Sequence, residues 1–177
     1  MTTTPSSETT TDLRDAASVQ ELLGGWHFAL RVNHRAHIRS AAIAHRRGRI
    51  LGTAAAVLAG IAGTTVFAGL QDAAESSPRL ALVAGSMSIL AAILASLQTY
   101  LGLDEVAERH HAAATRYGAL RREIEVLRTG PMSHAAEHLD ALRERWDAID
   151  LESPPLSQRR YDRIVGQIRN HESTREE

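Results

Sequence analysis

Two long stretches of the chain carry no charge. Between Arg49 and Asp72 lie 22 residues without an acid or a base, and between Arg79 and Asp104 lie 24. The first stretch contains Ile50 to Leu70, rich in Ala, Gly and Thr, with 8 large apolar residues; the second, Leu80 to Leu103, has 12 of them. At 1.5 Å rise per residue, a helix of about 21 residues covers roughly 31 Å, the hydrocarbon thickness of a bilayer. A soluble helix of that length normally shows a polar face. The pattern predicts an all-α membrane protein. Its centre, residues 50–103, is a transmembrane helical hairpin with spans 50–70 and 80–103, joined by the short polar turn Gln71–Arg79.

The flanks read differently. Residues 1–15 are Thr, Ser, Pro and acids, which predicts a disordered tail and not a signal peptide. Residues 16–49 predict a basic amphipathic cytoplasmic helix, starting at Ser18 with Glu21 at capping-box spacing. It carries Leu22, Leu23, Trp26, Phe28 and Leu30, then Arg31, Arg35, Arg39, Arg46, Arg47 and Arg49. After the second span, Val106, His110, Ala113, Tyr117, Leu120, Ile124 and Leu127 keep the four–three spacing of a coiled-coil seam. This predicts one continuous helix from Leu80 to Arg128, leading into a cytoplasmic coiled-coil stalk whose seam joins copies of the chain. Residues 104–170 form the cytoplasmic helical region. A helix near Ser133 carries Leu139, Leu142, Trp146 and Ile149, Glu152-Ser-Pro-Pro155 breaks it, and a last helix capped by Ser157 presents Tyr161, Ile164 and Ile168. Residues 171–177 are a frayed tail.

Small residues are patterned within the spans. In the second, Ala81, Gly85, Ser88, Ala92, Ala95 and Thr99 share one face, and Val83, Met87, Leu90, Leu94, Leu97 and Leu101 share another. In the first, Ala56, Gly60 and Thr64 repeat at steps of four. In lipid, helices associate through close approach along such small faces. Thr53, Ala56, Gly60, Thr64, Gly85, Ser88, Ala92, Ala95, Gln98 and Thr99 are therefore the candidate helix-packing or pore-lining positions. Orientation follows from arginine. Six arginines precede the first span within 20 residues, one lies in the turn, and four follow the second span within 20. Positive charge stays inside, so both termini are expected in the cytoplasm. The cluster Arg31, Arg35, Arg39, Arg46, Arg47 and Arg49 is expected at the inner leaflet, against anionic lipid.

Composition narrows the chemistry. The chain is 44% hydrophobic and 23% charged with net charge −1, averages that mix two charge-free spans with an arginine- and acid-rich body. Near-neutral charge gives no field for nucleic acid. Cysteine is absent and all 20 basic residues are arginine, which removes thiol nucleophiles, thiolate metal sites and catalytic lysines. His34 and His37 stand one turn apart, and with His110 or His111 they could share a zinc ion. No carboxylate supports them at a spacing such as His-Glu-x-x-His, and they read instead as polar positions of a basic helix. There is no phosphate-binding glycine loop and no nucleophile elbow. No catalytic, cofactor-binding or metal residue is expected, and the chain does not read as an enzyme.

The layout resembles a known family. A basic helix precedes two spans with a tight turn, then Ala107, His110, Tyr117, Leu120 and Glu123-Ile124 on a long helix, then Glu152-Ser-Pro-Pro155 and Tyr161. With Trp26, Asn33–His37 and Tyr117-x-x-Leu120-x-x-Glu123, this looks like the SLATT family, the SMODS- and SLOG-associating two-transmembrane effector domains of bacteria. The resemblance covers residues 16–170. It implies a multi-pass protein of the bacterial inner membrane that forms homo-oligomeric pores in anti-phage conflict systems. A separate nucleotide-synthesising or nucleotide-sensing partner protein would trigger it, and membrane disruption would end in cell death. The residues alone also allow a non-conducting, membrane-anchored scaffold that recruits cytoplasmic partners.

Overall fold

The structure, a computed structural model, describes residues 7–71 and 78–174, and all regular structure among them is helical. Most of the connecting turn and both extreme ends of the chain lie outside the described residues. Six helices follow in order: α1 (Ser7–Gln71), α2 (Pro78–Leu101), α3 (Leu103–Leu127), α4 (Met132–Glu137), α5 (Leu139–Glu152) and α6 (Gln158–Ser173).

Three boundaries differ from the sequence reading, each for a local reason. α1 already begins at Ser7, within the stretch read as a tail, so Ser18 lies inside a helix and does not cap one. No proline or glycine interrupts residues 7–23, and the glycine pair Gly24-Gly25 is flanked by the buried Leu23 and the half-buried Trp26. Tertiary contact thereby offsets a propensity cost of about 1 kcal/mol per glycine. The expected helix from Leu80 to Arg128 is two helices. Gly102 takes a left-handed φ of 51°, the conformation that ends helices at glycine, and α3 restarts at Leu103. The third cytoplasmic helix is also divided, α4 from α5, at His138 (φ −98°, ψ −5°).

The chain forms two compact units. One combines the residues up to Ser40 with those from Arg109 onward, and is a helical bundle. Its main core joins Leu23 and Leu30 of α1, Ala113, Tyr117, Leu120 and Ile124 of α3, Ala135 of α4 and Leu142 of α5. Trp26 and Trp146 meet edge to face at 5.9 Å. Arg145 of α5 chelates Glu123 of α3 at 2.5 and 2.6 Å, and Arg116 pairs with Glu152. A second core lies on another face of α1, where Val32 and Ala36 meet Ile164 and Ile168 of α6. α1 is thus the shared element between α3–α5 and α6. The predicted seam is accounted for here: His110, Ala113, Tyr117, Leu120 and Ile124 are buried and Leu127 is half-buried within this chain's own core, while Val106, in the other unit, is exposed. The face read as joining copies is therefore taken up inside the protomer.

The other unit, Ala41–Glu108, is the helical hairpin of the later part of α1 with α2. α2 has 24 residues, about 36 Å of helix. Pro78 opens it, at a position where the missing N–H costs nothing.

Candidate functional site

The hairpin inverts the usual order of a core. Its buried residues are small: Ala44, Gly48, Ala55 and Ala62 on α1, and Ala84 and Ala91 on α2. Most of its large apolar side chains, among the described residues, are exposed, and Leu51, Leu58, Met87 and Leu94 are half-buried. Leu82 is 75% exposed, Phe67 66% and Ile89 64%, whereas Ala62 and Ala91 are 3% and 6% exposed. Both helices are long and apolar enough to cross a membrane, and only a small share of either is buried within the chain.

A groove of about 700 Å³ runs between the two helices, lined by small residues from both and ending at Gln98. The Gln98 amide lies directly over Gly52, where a Cβ would come within 2.9 Å of it. Glycine at 52 is what lets the polar end of Gln98 approach α1. Of the ten candidate positions, Ala56, Ser88, Ala92, Ala95 and Gln98 line this groove. Thr53, Gly60, Thr64, Gly85 and Thr99 do not, and lie exposed. The buried face falls one residue before the predicted one, on Ala84 and Ala91 rather than Gly85 and Ala92, and on Ala55 rather than Ala56.

The hydroxyl groups of this unit are satisfied within their own helices. Thr53 donates to the Arg49 carbonyl at 2.7 Å, Thr64 to Ile61 at 2.9 Å, Ser88 to Ala84 at 3.0 Å and Thr99 to Ala95 at 3.1 Å. Back-bonding of this kind removes the cost of an unpaired hydroxyl in an apolar medium. Gln98 is the polar group of the groove that has no such internal solution in its own helix turn.

The bundle holds a buried polar cluster in which histidines of α1 and α3 meet. His37 and His110 face each other with Nδ1 atoms 3.0 Å apart, so one ring donates and the other accepts. His37 also stacks on Tyr117 at 5.3 Å. Tyr117 donates to Asp150 at 2.5 Å, and Trp146 donates to the same carboxylate at 3.1 Å. Arg160 donates to Ser40 at 2.7 Å, one turn from His37. Burial, then the proximity of His110, pushes the His37 pKa down to about 4. Burial, then the charge of Arg160, lowers His110 too. Burial and the Asp150 carboxylate raise Tyr117. His34 contacts the Ala114 carbonyl at 2.7 Å through Nδ1, which must therefore be its protonated nitrogen. It reaches α3 because Gly118 leaves room, since a Cβ there would lie 3.0 Å from the ring. The zinc arrangement considered from sequence, His34 and His37 with His110 or His111, is not assembled: His37 meets His110, but His34 turns to the Ala114 carbonyl and His111 is exposed.

Within the basic cluster, Arg39 donates to Gln167 of α6 at 3.2 Å. Arg46 and Arg49, with His45, share one α1 surface groove with the apolar Ile50, Val57 and Leu58. Along this face charge gives way to hydrocarbon within two helical turns. Comparison with protein-family models, curated proteins and solved structures returned no match.

Proposed function

We propose that this protein is a membrane-embedded effector in which residues 50–103 span a bilayer as a hairpin and copies assemble through the small-lined groove. The observation that carries the reading is the inverted hairpin, with large apolar side chains outside and alanine and glycine at the helix contact. A soluble hairpin would bury its leucines, isoleucines and phenylalanine, because each contributes roughly 1.5–3 kcal/mol when removed from water. In hydrocarbon that drive vanishes and small-residue contact takes over. The exposed Tyr100 near the end of α2 suits an interfacial anchor. The arginine distribution supports cytoplasmic termini and places Arg46 and Arg49 among anionic headgroups.

On this reading the assembled spans enclose a path across the bacterial inner membrane, in keeping with the resemblance to two-span SLATT effectors of anti-phage systems. The cytoplasmic bundle receives the trigger from a separate nucleotide-signalling protein. One two-helix protomer is too small to enclose an aqueous path, so conduction requires oligomers. Induced expression with the activating partner is expected to depolarise the membrane and release dye from vesicles. Intact membranes with every activating partner would overturn the pore. One observation favours a second reading, a non-conducting anchored scaffold: Thr53, Thr64, Ser88 and Thr99 spend their hydroxyls on their own backbone and present little polar surface to a lumen.

A further inference from the structure

Where α4 gives way to α5, three metal-ligating side chains converge on one helical face. His134, Glu137 and His138 each offer one ligand atom, and these atoms all lie within 4.8 Å of one another. The i, i+3, i+4 spacing brings them together across a turn. Tetrahedral bonds of 2.0–2.2 Å set ligand atoms about 3.4 Å apart, so rotamer adjustment of about an ångström closes the set around an ion. The rings of His134 and His138 already meet, with centroids 4.5 Å apart, and the Glu137 carboxylate stands 3.8 Å from His134 Nδ1, too far for a hydrogen bond of its own.

Two further features suit ligation. His138 Nδ1 lies 2.9 Å from the His134 carbonyl. A carbonyl only accepts, so Nδ1 carries the proton and Nε2 keeps its lone pair for a metal, with the ring orientation fixed by the hydrogen bond. The segment is also anchored. Ala135, between the ligands, is fully buried in the main core, so the ligands stand on a fixed turn, with His134 and Glu137 exposed and His138 half-buried.

We propose that His134, Glu137 and His138 form a binding site for a borderline divalent transition metal such as zinc. Two imidazoles with one carboxylate select zinc, cobalt or nickel over magnesium and calcium, which prefer all-oxygen shells. The ion ties the last turn of α4 to the junction residue His138, and its remaining coordination position is open to water or to a group from another molecule. The site is independent of the membrane reading, because it lies wholly within the bundle.

The test uses the tag-free, full-length protein in detergent, stripped of metal and titrated calorimetrically with zinc chloride. One saturable ion per chain is expected, with at least tenfold weaker binding in His134→Gln and in His138→Gln, and several-fold weaker binding in Glu137→Gln. His111→Gln, at an exposed histidine elsewhere, should bind like the parent. Cobalt(II) should give visible d–d bands in the parent that disappear in His138→Gln. Zinc should raise the thermal midpoint of the parent and leave that of His138→Gln unmoved. Absence of saturable binding overturns the site, as does undiminished affinity in either histidine variant. Undiminished affinity in Glu137→Gln overturns the three-ligand assignment.

Discussion

His37 and His110 hold one proton between two nitrogens 3.0 Å apart in a buried setting, and this makes stability depend on pH. The folded protein keeps His37 neutral down to about pH 4, because burial and the facing His110 resist a second charge, with Arg160 adding to the field at His110. The unfolded chain takes up protons from about pH 6.5. Proton uptake therefore favours the unfolded state as pH falls. The His37 contribution to stability is expected to be level above about pH 6.5, to decline between 6.5 and 4, and to flatten below that, with a loss on the order of 3 kcal/mol. Thermal unfolding in detergent across that range checks this, and His37→Gln should flatten the slope; an equal slope in the variant would assign the titration elsewhere. A second residue-level contrast concerns glycine. Gly166 sits in α6 with nothing within 4 Å of a built Cβ, so Gly166→Ala should stabilise by up to about 1 kcal/mol. Gly118→Ala gains the same helix propensity but presses on the His34 ring at 3.0 Å, and overpacking of about 1–3 kcal/mol should cancel or reverse the gain. Paired melting curves of the two variants separate the effects.

At the scale of elements, the later part of α1 makes a prediction through its mixed face. Arg46 and Arg49 lie beside Ile50, Val57 and Leu58, so an anionic phospholipid can place its phosphate on the guanidinium groups and its chains along the helix. Each arginine near an anionic surface contributes about 1 kcal/mol. Arg46→Gln with Arg49→Gln should cut binding to vesicles containing phosphatidylglycerol by roughly tenfold or more, measured by co-flotation, and leave binding to neutral vesicles unchanged. Inorganic phosphate that fails to compete would identify the lipid, rather than the bare anion, as the ligand. What the sequence revealed of these elements follows physical lines. The two long apolar helices were legible because runs of that length without charge leave little but helix to pair their backbone. The seam residues His110, Ala113, Tyr117, Leu120 and Ile124 were legible as a buried face, but not their partner. Four–three spacing is the same whether the opposing helix is a second copy or α1 of the same chain, as it proves to be. The buried face of the hairpin was missed by one residue because small residues adjoin there, Ala91 beside Ala92 and Ala55 beside Ala56, and spacing alone does not rank them. The end of α2 at Gly102 was not legible, because only backbone geometry shows the positive φ there. The His134-x-x-Glu137-His138 spacing is readable in the chain, but its three side chains converge only because the helix keeps its turn through the α4–α5 junction.

For the whole molecule, the decisive matter is whether the groove between α1 and α2 is filled by another copy. Within the chain the predicted seam is spent on the bundle core, which leaves the hairpin's groove as the face with unpartnered small residues. Ser88, Ala91 and Ala92 all line the groove, but Ala91 is buried between the hairpin's own helices, whereas Ser88 and Ala92 are exposed on its open side. The two kinds of position should respond differently to leucine. Ala91→Leu forces bulk between the helices and should lower the thermal midpoint of the protomer, because overpacking a close contact costs about 1–3 kcal/mol. Ser88→Leu with Ala92→Leu adds side chains to a space of about 700 Å³ without displacing the hairpin's own contact, so the protomer should fold and insert normally. If copies assemble through the groove, the detergent-solubilised mass of that double variant should drop from an oligomer toward one chain of 19.3 kDa plus detergent. Toxicity on expression should fall with it. An unchanged oligomer with toxicity lost would locate the path, rather than the assembly contact, at the groove. An unchanged oligomer with toxicity intact would remove the groove from both roles and leave the outward leucines, isoleucines and phenylalanine facing lipid alone.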